Sequence, residues 1–369
     1  MGKGTHGHHS DVLRIIAFAT VIAVVASAEL LRAVSASAST IDTHAEIVAG
    51  NLGLEAERQT MLRGEDTGPF TAADETEGDR SRVLAPSPLD ANFVALGGSV
   101  HPSDGALAVG PSHVLEIVNG LPGTNNVGIY DKTGRALTVT TLPNLMGLDS
   151  GTLMSDPRAF YDSVSARWYV LSFGINPVEF VARFYLAISL SADPLGGFCE
   201  FSKDESVQNG VSGVVAPDFP GMGMDDYAMY VTTTRFRFSD DRAADTQVEM
   251  FPRSELGCGQ PALRPWVWSL TTTLPDGNAL WEVQPANAFG APGSGYLVGT
   301  SWTGGSYAGI WTISHAASPQ LVRSSIPIGP YLQQVASPQP GTSFSLDTSD
   351  TRVPSSPVFR NGSLWFAFT

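Results

Sequence analysis

The chain has 369 residues, with 21 Lys and Arg against 36 Asp and Glu. Only 15% of it is charged, and 38 Gly with 25 Pro interrupt it at short intervals. Gly and Pro on this scale disfavour a helical bundle, and the acidic balance argues against nucleic acid, whose phosphates need Lys and Arg.

Residues 1–38 read as a secretory signal. Lys3 and Arg14 supply the positive start, and an uncharged run extends from Ile15 to Ala28. Small-residue cleavage patterns lie at Ala26-Ser27-Ala28 and Ala36-Ser37-Ala38. The run is short for a membrane span, which needs about 20 residues, and Glu29 and Arg32 bring charge immediately after it. The alternative is an uncleaved anchor, the one case in which this protein would touch a membrane. Either way the bulk of the chain is expected outside the cytoplasm. Residues 39–89 form an acidic, flexible linker, with Phe70 as its single aromatic residue. Little there can be buried, although loose helical spacing allows a short helix over 45–62.

From about residue 90 the texture changes. Runs such as HVLEIVNG, RWYVLSFG, RFYLAISLS, YAMYVTTTRF and GYLVGTSW alternate with turn residues, which is the signature of strands joined by hairpins. Five segments share one grammar: an Asp or Asn, a turn-rich stretch, then an apolar strand. The anchor positions are Asp104, Asp156, Asp218, Asn287 and Asp350, spaced by 52, 62, 69 and 63 residues. Such a period suits a four-stranded antiparallel sheet with generous loops, and sheets repeated this way close into a ring that protects their edges. The fold predicted for 90–369 is therefore all-β, a β-propeller of four-stranded antiparallel blades with about five repeats. A β-solenoid is the rival, with shorter rungs. The fifth repeat stops at Thr369 just after a strand, so the last blade is expected to be incomplete.

These residues resemble a group of secreted bacterial β-propeller proteins, mostly of undefined function. The resemblance rests on Asp104 to Val114 (D-x-x-x-A-V-G-P-x-H-V), on Asp156-Pro157-Arg158 with Tyr161-Asp162 and Arg167-Trp168, on the strand Leu186 to Phe198, and on Asp218 to Thr232. It covers roughly 91–369 and implies the fold. It implies no activity, because a fold does not fix a function.

The repeated acids are expected around one end of the central channel. The candidate ligand-binding residues are Asp104, Asp156, Arg158, Asp218, Asp350 and Arg352. In the plainer alternative each Asp caps its own turn and each Arg pairs with a neighbouring carboxylate. The fourth repeat carries Asn287 in place of Asp, so a complete ring of carboxylates is not expected. No G-x-S-x-G, H-E-x-x-H or sialidase-type box is present, and no catalytic residue or metal site is assigned. Calcium would suit an exported acidic chain. Asp225-Asp226 and Asp240-Asp241 with Asp245 are the clusters to inspect, and no cofactor is expected. Cys199 and Cys258 are the two cysteines. Export permits a bridge between them; their similar phase toward the outer strands of neighbouring blades opposes one. The leading functional expectation is a binding or scaffold module with a glycan or protein ligand. The alternative is a carbohydrate-active hydrolase with carboxylates at the channel mouth. A deep funnel with two carboxylates facing each other would favour the hydrolase; a shallow mouth with every Asp bonded to backbone would favour the scaffold.

Overall fold

The structure is a computed structural model. It describes residues 91–369 apart from short breaks at 98–99, 101–102, 122, 125, 150–151, 177–180, 241, 271, 334–336, 342, 344, 347–350 and 369. The predicted signal, linker and short helix lie outside the described residues, as does Asp350.

The chain forms successive antiparallel sheets arranged as a five-bladed β-propeller. Blade 1 is β1 (Ala106–Val109), β2 (His113–Ile117), β3 (Val127–Asp131) and β4 (Ala136–Thr140). One short helix, α1 (Leu142–Leu145), comes next, capped by the Thr141 hydroxyl. Blade 2 is β5 (Leu153–Asp162), β6 (Arg167–Asn176), β7 (Val181–Ser189) and β8 (Phe198–Asp204). Blade 3 is β9 (Val215–Met224), β10 (Ala228–Arg237), β11 (Ala243–Pro252) and β12 (Trp266–Leu270). Blade 4 begins with β13 (Gln284–Pro285) and its continuation β14 (Asn287–Phe289). It is completed by β15 (Ser294–Gly299), β16 (Gly304–Ser314) and β17 (Leu321–Leu332). A small ribbon, β18 (Ser337–Pro338) with β19 (Ser345–Leu346), leads to the fifth blade. Among the described residues that blade is the hairpin β20 (Val358–Arg360) and β21 (Ser363–Trp365). Asn361 and Gly362, both at positive φ (52° and 76°), make its two-residue turn. β14 pairs in parallel with β20, which links blades 4 and 5.

The strand runs are apolar on both faces because each blade is packed on both sides. In β6, Trp168 and Val170 join the core shared with blade 1, while Tyr169, Leu171 and Phe173 join the core shared with blade 3. In β10, Met229 and Val231 face blade 2, while Ala228 and Tyr230 face blade 4. Period-two alternation thus sorts one strand between two interfaces. At the centre the inner strands meet in order, β1 with β5, β5 with β9, and β9 with β13. The last approach is close: a Cβ on Gly223 would lie 2.6 Å from the Ala286 carbonyl oxygen. Only glycine leaves room for that backbone.

Cys199 and Cys258 form a disulfide with a Cα–Cα distance of 5.4 Å. Cys199 lies on β8, but Cys258 sits in the loop between β11 and β12 rather than on an outer strand. That loop crosses back to blade 2, so the phase argument against a bridge does not apply. Among the described residues no helix is long and apolar enough to cross a membrane.

Candidate functional site

The first three inner strands each carry an acid near their start, with Asp218 one place earlier relative to its bulge than Asp156. Asp104 lies across from Asn119, whose Nδ2 donates to Asp104 Oδ2 at 2.7 Å. In blade 2, Ser155 pairs with Phe173 and Arg158 with Leu171, so Asp156-Pro157 forms a bulge between them. In blade 3, Asp218 pairs with Thr234, and the bulge falls on Phe219-Pro220. Asp104, Asp156 and Phe219 all hold positive φ (36°, 54° and 53°), which an L-residue adopts only when its surroundings impose it.

The fourth blade corrects the expectation drawn from sequence. Gln284 pairs with Val298; continuing that register by two residues sets Glu282 opposite Thr300, the counterpart of Thr234. Glu282, rather than Asn287, is the fourth carboxylate. Asn287 instead uses its Oδ1 to accept from the Met224 N–H at 3.2 Å, fastening blade 4 to blade 3.

The acids are joined into a continuous network. Asn119 Oδ1 accepts from the Asp156 N–H at 3.0 Å, so one side chain holds the acids of blades 1 and 2. The Phe219 N–H donates to Asp218 Oδ1 (3.0 Å) and to Asp156 Oδ2 (3.2 Å). The Asp218 carboxyl thus lies beside that of Asp156, the two sharing the Phe219 N–H. Burial first, then the neighbouring Asp156, holds the Asp218 carboxyl well above the usual carboxylate range. Arg158 sits among Asp156, Asp104 and Asp218; burial lowers its guanidinium, and the three acids oppose that shift. The Phe219 ring lies under Arg158 (5.7 Å) and Arg352 (4.9 Å). Arg352 also stacks on Trp302 (4.9 Å) and pairs with Glu282. Two buried atoms beside it, Glu282 Oε2 and Trp302 Nε1, have no hydrogen-bond partner among the described residues.

The structure thus brings Asp104, Asp156, Arg158, Asp218 and Arg352 to one end of the inner strands. Sequence reasoning missed Asn119, Phe219, Glu282 and Trp302. Of these only Glu282 had a usable signal, a carboxylate 64 residues after Asp218.

The calcium clusters are otherwise engaged. Asp225 accepts from the Tyr227 and Ala228 N–H groups and the Tyr230 hydroxyl, each at 2.8 Å, and lies 2.9 Å from His315 Nε2. Asp225, Asp226 and His315 have ligand atoms within 4.8 Å of one another, but this bonding makes Asp225 a junction between blades 3 and 4. Asp240 is paired with Arg237 (2.9 Å) and Asp245 with Arg235 (2.7 Å), while Asp241 lies outside the described residues.

No family model matches the sequence, and no curated protein matches it. Solved structures of similar fold include the exo-β-1,3-galactanase of Phanerochaete chrysosporium with galactose. It is 9% identical at a TM-score of 0.36, over 62% of this chain and 50% of that one. The GH43 BlXynB protein of Bacillus licheniformis is 15% identical at 0.37, over 72% and 48%. The Bacillus subtilis arabinanase Arb43A is 14% identical at 0.32, over 71% and 87%. This chain spans about half the length of the first two. The likeness is one of chain path and carries no residue role across.

The expectation of a scaffold without catalytic groups is corrected here. The acids do not bond to backbone alone: Asn119 Nδ2 donates to Asp104, and the Ser155 hydroxyl donates to Asp156 Oδ1 at 2.8 Å.

Proposed function

We propose that the protein is a carbohydrate-active hydrolase whose carboxylates act at the mouth of the propeller channel. The observation that carries this reading is the Asp156–Asp218 contact. Glycoside hydrolysis needs one carboxyl that still holds its proton at neutral pH, to protonate the leaving oxygen. Asp218, held above the usual carboxylate range by burial and by Asp156, is the group that suits this role. The two catalytic carboxyls of such enzymes stand about 5 Å apart or more, with substrate between them. Asp156 and Asp218 accept from one and the same N–H, that of Phe219, which leaves no such space, so they act as one proton-holding unit. Asp104, which shares Arg158 with them, is the second carboxylate, acting as base or nucleophile. Asn119 orients Asp104 through its amide, and Arg158 balances the acids around it.

The ligand is a glycan in this reading. Read as an export signal, residues 1–38 support a reaction outside the cytoplasm. The test is a panel of chromogenic glycosides and glycans, with and without calcium. Turnover that disappears in a folded Asp156→Ala variant is the expected result. No turnover of any substrate by the wild-type protein would overturn the reading.

A further inference from the structure

We propose that the protein carries a separate binding site for a small organic monoanion with an apolar body, in the cavity behind the Cys199–Cys258 disulfide. The cavity measures about 280 Å³ and lies at the opposite end of β6 from the acid network. Arg167 begins β6, and Phe173, opposite Ser155, stands six residues further on. At strand rise that is about 20 Å.

Polar groups form one side of the cavity. They are Ser165, Arg167 and Tyr169. Arg167 uses one guanidinium nitrogen on the Ala166 carbonyl at 3.2 Å, which leaves most of its five donors for a ligand. The Tyr169 side chain is buried, with the residue 3% exposed. Its hydroxyl has a long 3.4 Å contact to Ser165 Oγ, and the Ser165 hydroxyl donates to Asp162. Ser165 has given its proton to Asp162, so in this contact the Tyr169 hydroxyl is the donor, and its long bond is one that a better-placed acceptor in the cavity can replace.

Arg167 is the cation that lines the site. Asp162, its cross-strand partner on β5, is already paired with Arg253 and accepts from the Val164 and Ser165 N–H groups. Among the described residues Arg167 remains as the uncompensated cation facing the cavity. The other walls are Ile188, Leu190 and Leu256. A guanidinium and a phenol hydroxyl beside an aliphatic wall suit a carboxylate on an apolar group. The volume holds roughly ten non-hydrogen atoms, the small end of ligand sites.

The disulfide builds the last wall. Cys258 lines the cavity beside Leu256 and Gly257, and its bond to Cys199 pins that loop of blade 3 against blade 2. The site is thus assembled by oxidation.

Hexanoate and benzoate are the probes, with hexanol and benzamide as neutral partners, titrated into the oxidised protein by calorimetry. The expected result is millimolar or tighter binding of the acids and about tenfold weaker binding of the neutral compounds. Arg167→Gln should erase that preference. Leu190→Trp, a change at the exposed rim, should block binding while leaving the circular dichroism unchanged. The Cys199→Ser/Cys258→Ser double variant should bind several-fold more weakly. Equal affinity for hexanol and hexanoate, no acid binding at about 10 mM, or full affinity in Leu190→Trp would overturn the proposal. Asp156→Ala should bind the acids normally, so this test stands apart from that of the channel chemistry.

Discussion

The Phe219 N–H donates to two carboxyl groups at once, to Asp218 Oδ1 at 3.0 Å and to Asp156 Oδ2 at 3.2 Å. A proton placed there is held by two strands of different blades, β5 and β9. Its retention is a property of the blade interface as much as of either residue.

The first prediction concerns that proton. If Asp218 supplies it to a leaving oxygen, Asp218→Asn should lower kcat/KM for a chromogenic glycoside by about 10²- to 10⁴-fold. The pH profile of the wild type should fall on its alkaline side as Asp218 loses the proton. A substrate whose leaving group needs no protonation should recover most of the rate in the variant. Equal losses for activated and unactivated substrates would remove Asp218 from the acid role.

A second prediction arises at the interface of blades 2 and 3. Lys203 lies 2.7 Å from Glu205 and is paired with Glu249, and Gln247 bridges the two acids at 3.0 and 3.2 Å. Burial and the nearby Glu205 push Glu249 up to about 7. A carboxyl raised in the folded state ionises more readily when unfolded. Its effect is therefore absent below the unfolded value near 4.5, and it destabilises increasingly up to about pH 7. The cost above that pH is on the order of 3 kcal/mol. Glu249→Gln should raise the urea midpoint at pH 8 and leave it nearly unchanged at pH 4. A midpoint lowered at pH 8 would mean that the Lys203 pair outweighs the crowding of the two acids.

Gly223→Ala supplies a third. The added Cβ would meet the Ala286 carbonyl oxygen at 2.6 Å and the Pro285 carbonyl carbon at 2.7 Å. Both are backbone atoms of the neighbouring inner strand, so relief requires β9 and β13 to separate. Overpacking of this kind costs about 1–3 kcal/mol. Equilibrium urea unfolding measures it, and a loss below about 0.5 kcal/mol would show that the strands part freely.

The disulfide gives a fourth. It closes a loop with a sequence separation of 59 residues, for which chain entropy alone gives about 4 kcal/mol. Cys258→Ser should lower unfolding stability by an amount of that order in non-reducing buffer. Addition of reductant should shift the wild type and leave the variant where it is.

Much of the propeller could be read from the sequence because its strands carry their pattern locally. The runs around Tyr169, Tyr230 and Tyr296 repeat the same apolar texture, and in three blades an acid stands 9 to 11 residues before the second strand. Asp104, Asp156 and Asp218 were therefore legible. Glu282 was not, because Asn287 fitted the repeated grammar and lies only five residues away. Strand register separates the two, and register is a property of paired strands. Phe219, Asn119 and Trp302 were hidden for a related reason. Each acts across a junction between blades, and nothing local in a sequence marks such a meeting. Cys258 misled through its phase, since a residue in a loop does not follow the geometry of the strand before it. A linear catalytic motif is a poor guide in such a fold, because a ring of separate strands can collect its acids one blade at a time.

The double-sided burial of β6 has a consequence for how this chain can evolve. Because Trp168 and Val170 serve one interface, and Tyr169, Leu171 and Phe173 the other, a one-residue insertion upstream in the strand would exchange the two sets. Each interface would still receive apolar groups, so hydrophobicity alone would not punish the error; shape would. Inherited length changes should therefore collect in the bulges and loops, where an extra residue leaves the frame of both interfaces intact. The bulge at Asp156-Pro157 is such a place, which makes the acid-bearing end of each blade the part freest to vary in geometry while the rest keeps time.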